Sequence, residues 1–151
     1  MKYVIFIIFS LISNSSFAAP ERFLCIAEKA TGFSFDAGDW KSTEFTVDEK
    51  FILTKEPISE KKKEEFKGTV WRDVTTGYSI KEVGKSGLSG VISNWCALSH
   101  ESLYCNDSIK TFGLNLKNLR FIVSSPWGYW NSTSDKKSDT PFLMIGRCSE
   151  F

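Results

Sequence analysis

The sequence predicts an all-β protein: a single small antiparallel barrel or sandwich of about nine or ten short strands, stapled by two disulfides. Three observations predict it. Apolar residues alternate with polar ones along nearly every segment instead of recurring at helical spacing. Turn signals punctuate the chain about every 8–12 residues. Four cysteines follow what reads as an export signal, and exported cysteines pair.

The amino terminus, M-K-Y-V-I-F-I-I-F-S-L-I-S-N-S-S-F-A-A-P, places Lys2 before an apolar run from Tyr3 to Ile12, and small residues then lead to Ala18. That is the layout of a secretory signal cut between Ala18 and Ala19. The run of about ten apolar residues falls short of the ~20 a spanning helix needs. Residues 1–18 are expected to be removed. Taking 18 from 151 leaves 133 residues, 19–151, for a single all-β domain. Loss of Lys2 leaves 18 basic and 18 acidic residues, a balance that offers nothing to nucleic acid or anionic lipid. A lipid-facing closing strand would be apolar at alternate positions, but counting back from Phe151 gives Ser149 and Arg147. The expected location is the periplasm or the exterior, with no membrane insertion after cleavage.

The strands follow in order. Phe23, Cys25 and Ala27 share one face of a first strand, and Phe33 with Phe35 mark a second. After the turn Ala37-Gly38-Asp39, Phe45 and Val47 point one way in a strand that starts near Trp40. Phe51 and Leu53 continue beyond a charged bend. Val70, Trp71 and Val74 mark the next strand, which Thr76-Gly77 turns into Tyr78 to Val83. Val91 to Leu98 pairs with Leu103 to Cys105. Phe112, Leu114 and Leu116 alternate, Asn118 turns, and Leu119, Phe121 and Val123 alternate again. Phe142 to Cys148 is apolar on both faces and reads as central. Only Pro57 to Lys67 has any helical character, and like charges at Glu60/Glu64 and Lys63/Lys67 weaken it. It reads as a solvated loop or one surface helix, with Ile58 and Phe66 its only residues suited to a core.

Chemistry concentrates in residues 94–106, N-W-C-A-L-S-H-E-S-L-Y-C-N, where the only histidine stands between two cysteines. Zinc wants four ligands in close pairs, and no second histidine exists, so neither a metal nor a cofactor is expected. The favoured pairing is Cys96–Cys105 across a hairpin, with Cys25–Cys148 tying the first strand to the last. His100 then sits at a hairpin tip, without the partners of a catalytic set.

Val83-Gly84-Lys85-Ser86-Gly87-Leu88-Ser89-Gly90 lacks the leading glycine and the helix of a phosphate loop, and reads as a flexible loop. Lys85 and Ser86 at its tip are candidate recognition residues, because loops on a rigid β scaffold carry binding. Pro126-Trp127-Gly128-Tyr129-Trp130-Asn131 crowds three large aromatics into a bend. Trp127, Tyr129 and Trp130 are therefore candidates to stack on a glycan or anchor a protein partner, or else to plug one end of the core. Asn106-Asp107-Ser108 and Asn131-Ser132-Thr133 fit the pattern for N-glycosylation, which matters only in a eukaryotic secretory pathway.

Gly38-Asp39-Trp40 resembles the G-x-W of lipocalins, displaced from the first strand. The early and late cysteines with a Ser-Gly loop between strands make the layout similar in architecture to small periplasmic lysozyme-inhibitor barrels. This chain is longer than those barrels, and their loop does not align onto Lys85-Ser86-Gly87. The acid pairs Asp36/Asp39 and Glu64/Glu65 have solvated-surface explanations. The expected function is thus a soluble non-enzymatic binding or inhibitor protein acting through exposed loops. A barrel carrying a small apolar ligand is the alternative and a small hydrolase the third reading.

Overall fold

The computed structural model describes residues 20–69, 74–83, 95–106, 110–130, 132–136 and 140–151. Nine strands and one helix lie among them: β1 (Arg22–Asp36), β2 (Asp39–Phe45), β3 (Lys50–Pro57), α1 (Glu60–Phe66), β4 (Thr76–Glu82), β5 (Cys96–Ser99), β6 (Ser102–Asn106), β7 (Thr111–Asn115), β8 (Arg120–Ser125) and β9 (Phe142–Glu150). All pairings are antiparallel, in the order β2-β1-β3-β4-β5-β6-β7-β8-β9, and β1 also pairs with β9. That last pairing closes β1 and β3 to β9 into an eight-stranded barrel. It leaves β2 outside the ring, hydrogen-bonded to the far half of β1.

Alternation fills the interior. Phe23, Cys25, Phe51, Leu53, Tyr78, Cys96, Leu103, Cys105, Phe112, Leu114, Phe121 and Val123 are all buried, each from an alternate position of its strand. Phe51 meets Phe112 and Phe121 edge to face at 5.8 Å, and Phe112 stacks on Phe121 at 5.4 Å. Burying each such ring stabilises the fold by about 1.5–3 kcal/mol. The intervening outward positions mix polar residues such as Lys81, Arg120, Arg147 and Ser149 with the exposed apolar residues Ile26, Ile122, Leu143 and Ile145.

Both disulfides form as the spacing predicts. Cys25 and Cys148 are direct partners across β1 and β9, and Cys96–Cys105 joins β5 to β6. No cysteine is left free. His100 occupies the exposed tip of the β5–β6 hairpin at φ 52°, where Ser99 pairs with Ser102.

Three expectations change. The segments around Phe23 and Phe33 belong to one 15-residue strand, because β1 keeps a partner along its whole length. Thr76 and Gly77 are inside β4 and not in a turn: both pair with β3, and the Trp95 ring fills the space over Gly77 that a side chain would need. Leu119 sits in the β7–β8 turn at φ 56°, not in a strand. Of the strand expected around Val70, Trp71 and Val74, residues 70–73 lie outside the described residues, as do 91–94 of the segment expected to lead into β5, while Val74 precedes β4.

The charged segment becomes a single surface helix. The Ser59 hydroxyl accepts from the Lys62 amide to cap α1. Pairs spaced three apart, Lys63–Glu60 at 2.6 Å, Lys62–Glu65 at 3.1 Å and Lys67–Glu64, offset the like-charge spacing. Ile58 is buried and Phe66 packs on Trp95 at 5.5 Å.

Candidate functional site

In an antiparallel ring, alternate connections lie at one end. The β1–β2 hairpin and the β8–β9 connection therefore share an end, which also holds the departures from β4 and β6. The candidate site is built there.

Its first wall comes from an irregularity in β1. Phe23, Cys25 and Ala27 point inward, but the β1–β9 register slips between Ala27 and Lys29. One extra residue reverses the parity, so the next buried position is Ala30. Phe33 and Phe35 are odd-numbered like Phe23, yet they fall on the outside, with Phe33 53% exposed. Beyond the barrel rim, β1 and β2 continue as a two-stranded ribbon that turns at Ala37 and Gly38, both at positive φ. Phe33 is paired with Ser42 and Phe35 with Trp40, so these four residues share one face of the ribbon.

The second wall is the bend after β8. Pro126 ends the strand because it has no amide to donate. Gly128, at φ 103°, reverses the chain and presents Trp127, Tyr129 and Trp130 at 43, 62 and 70% exposure. Tyr129 folds back on the ribbon: its ring meets that of Trp40 edge to face at 5.2 Å, and Trp40 meets Phe35 at 5.5 Å. Phe35, Trp40 and Tyr129 thus form a continuous row of rings. The indole Nε1 of Trp40 is closed off from solvent and has no hydrogen-bond partner.

Between the walls runs a groove of about 460 Å³, lined by Thr31, Phe33 and Ser42 of the ribbon, Ser124 and Pro126 at the end of β8, and Pro141, Phe142 and Leu143 at the start of β9. The Phe33 amide donates to the Pro141 carbonyl at 3.0 Å and fixes its floor. Among the described residues, no side chain in its lining is ionisable. The hollow on the barrel wall nearby is different, with Glu28, Lys29 and Glu44 around it.

Of the residues expected from sequence to bind, Trp127, Tyr129 and Trp130 are exposed on this bend. Lys85 and Ser86 lie outside the described residues. Phe33, Phe35, Trp40 and Ser42 were not singled out as binding residues from sequence, since no residue type announces the register slip that turns the phenylalanines outward. Among the described residues no group of three or more histidine, cysteine or acidic side chains is placed to hold a metal ion. No family model, no curated protein and no solved structure matches this chain, so its chemistry is read from its own residues.

Proposed function

We propose that the protein is an exported, non-enzymatic binding or inhibitor protein that captures its partner at the aromatic end of the barrel. One observation carries this reading. Three large aromatics stand exposed on a single short turn beside a groove, and tryptophan and tyrosine in such settings dominate binding energy. The rigid support is in keeping: two disulfides and a closed ring hold the strands that carry the turn. The paired cysteines also fit an oxidising compartment, as the export signal requires. The protein or glycan partner reading is retained on these grounds.

The interior favours this reading over carriage of an apolar ligand inside the barrel. Phe51, Phe112 and Phe121 meet near its centre, and buried side chains from all eight ring strands surround them.

The test is affinity capture from the envelope or medium of the exporting cell, with the mature oxidised protein immobilised. The wild type is expected to retain a partner that the Trp127→Ala, Trp130→Ala double variant releases. Both residues are exposed, so the variant keeps its thermal midpoint. A folded double variant that captures the same partner equally well overturns the proposal.

A further inference from the structure

We infer that the groove between the β1–β2 ribbon and the Pro126 bend is a subsite for a neutral saccharide. The inference rests on the binding-protein reading and names the ligand class of that same end.

Three features of the groove select the ligand. First, it offers flat apolar surface: Phe33, 53% exposed, lies in the wall, and the row Phe35, Trp40 and Tyr129 continues the ribbon face beyond it. Sugar rings present axial C–H groups that pack against aromatic faces. Second, Thr31, Ser42 and Ser124 bring hydroxyls to the same walls. Each both donates and accepts, as sugar hydroxyls do. Thr31 already donates to the Thr43 carbonyl at 3.2 Å and Ser124 pairs with the Thr111 hydroxyl at 2.6 Å, so an apolar ligand would bury chiefly the Ser42 hydroxyl unpaired, at a cost of about 1–3 kcal/mol. Third, among the described residues no ionisable side chain lines the groove, and the neighbouring Lys110 ammonium lies over the Phe142 ring at 5.9 Å, so the lining itself offers a charged ligand no counter-charge.

The size is also apt. About 460 Å³ falls within the ~300–1,000 Å³ of small-ligand clefts. A folded protein partner would instead need about 800 Å² on each side. The register slip in β1 acquires a purpose in this reading, since bulges beside functional sites re-aim side chains. Here it turns Phe33 from the core to the ligand.

The experiment is calorimetric and tryptophan-fluorescence titration of mature oxidised protein with cellotetraose, maltotetraose and chitotetraose, at low and at high salt. At least one is expected to saturate, with an affinity that salt leaves unchanged because no charge pairs form. Phe33→Ala removes an exposed ring without disturbing the core, and Ser42→Ala deletes a hydroxyl from the groove lining. Each is expected to weaken binding about tenfold, equivalent to ~1.4 kcal/mol. The thermal midpoint of Phe33→Ala should match wild type.

Failure of all three sugars to saturate overturns the inference, as does binding that both variants retain. Binding of decaproline in their place, weakened by Phe33→Ala, would assign the groove to proline-rich peptides and equally overturn it. In each of these cases a captured partner lost on changing Trp127 and Trp130 would leave the binding-protein reading standing.

Discussion

The rings of Trp40 and Tyr129 meet edge to face with centroids 5.2 Å apart and join the β1–β2 ribbon to the bend after β8. Trp40 comes from a strand outside the closed ring and Tyr129 from a turn beyond its rim, so the contact ties together two projections that the barrel itself does not join. Edge-to-face pairs contribute about 0.5–1.5 kcal/mol beyond the area they bury. The losses from Trp40→Ala and Tyr129→Ala should sum to about 1 kcal/mol more than the loss from the double variant, in a double-mutant cycle of urea unfolding. Strict additivity of the two substitutions would show that the bend is not anchored by this pair.

Gly32 and Gly38 lie on the same ribbon and should respond differently to alanine. A Cβ on Gly32 would stand 2.1 Å from the Pro141 carbonyl oxygen and 2.8 Å from the Phe142 Cα, both backbone atoms that are held by pairing. Gly32→Ala is therefore expected to lose about 3 kcal/mol and to open the groove by displacing Pro141. At Gly38 nothing lies within 4 Å of the added atom, and the penalty comes from φ +85° alone. Gly38→Ala should cost about 1 kcal/mol, the ordinary toll of left-handed backbone. Equal losses at the two sites in chemical denaturation would contradict the close approach at Gly32.

The barrel itself is legible in the sequence because its interior is filled at every second residue. Phe112 with Leu114, and Phe121 with Val123, declare their faces without coordinates. The stapled hairpin is legible too, since paired exported cysteines leave His100 little place but the tip. What stays hidden is parity. Ala27-Glu28-Lys29 has no glycine or proline to mark a bulge, yet the slip there decides that Phe33 faces solvent while Phe23 is buried. Thr76-Gly77 misleads for the opposite reason. Its glycine serves the packing of a tryptophan 18 positions away, Trp95, and not the bending of the chain. Half of the candidate site, Trp127 to Trp130, announces itself through composition. The other half, Phe33 to Ser42, depends on register.

The two disulfides close loops of very different length, with 123 positions between Cys25 and Cys148 and 9 between Cys96 and Cys105. Constraint of the unfolded chain grows with the loop, to about 4–5 kcal/mol for the long closure and about 2–3 kcal/mol for the short one. Cys25→Ala with Cys148→Ala should thus lower stability by about 2 kcal/mol more than Cys96→Ala with Cys105→Ala. All four side chains are buried in one core, so the cavity contributions are comparable and largely cancel. Urea midpoints in the reverse order would sink the entropic account for this fold.

Tyr78 makes stability depend on alkaline pH. Its ring is fully buried against Phe23 at 5.7 Å, and its hydroxyl donates to the Pro20 carbonyl at 2.6 Å. Burial, with the Glu21 and Glu150 carboxylates adding to it, pushes the phenol from 10.0 up to about 12. The folded chain therefore keeps a proton that the unfolded chain releases near its ordinary value. Stability is intact below about pH 10 and is lost as pH rises through about 12. Tyr78→Phe keeps the ring and removes the titrating group. At neutral pH it should lose about 1 kcal/mol with the hydrogen bond to Pro20. Above pH 10 the deficit should shrink and then reverse, because only the wild type must hold a proton against the solution. Urea unfolding of both proteins at stepped pH reads this difference directly. A gap that stays constant from neutral to strongly alkaline pH would mean that the Tyr78 phenol does not titrate differently in the folded and unfolded chains.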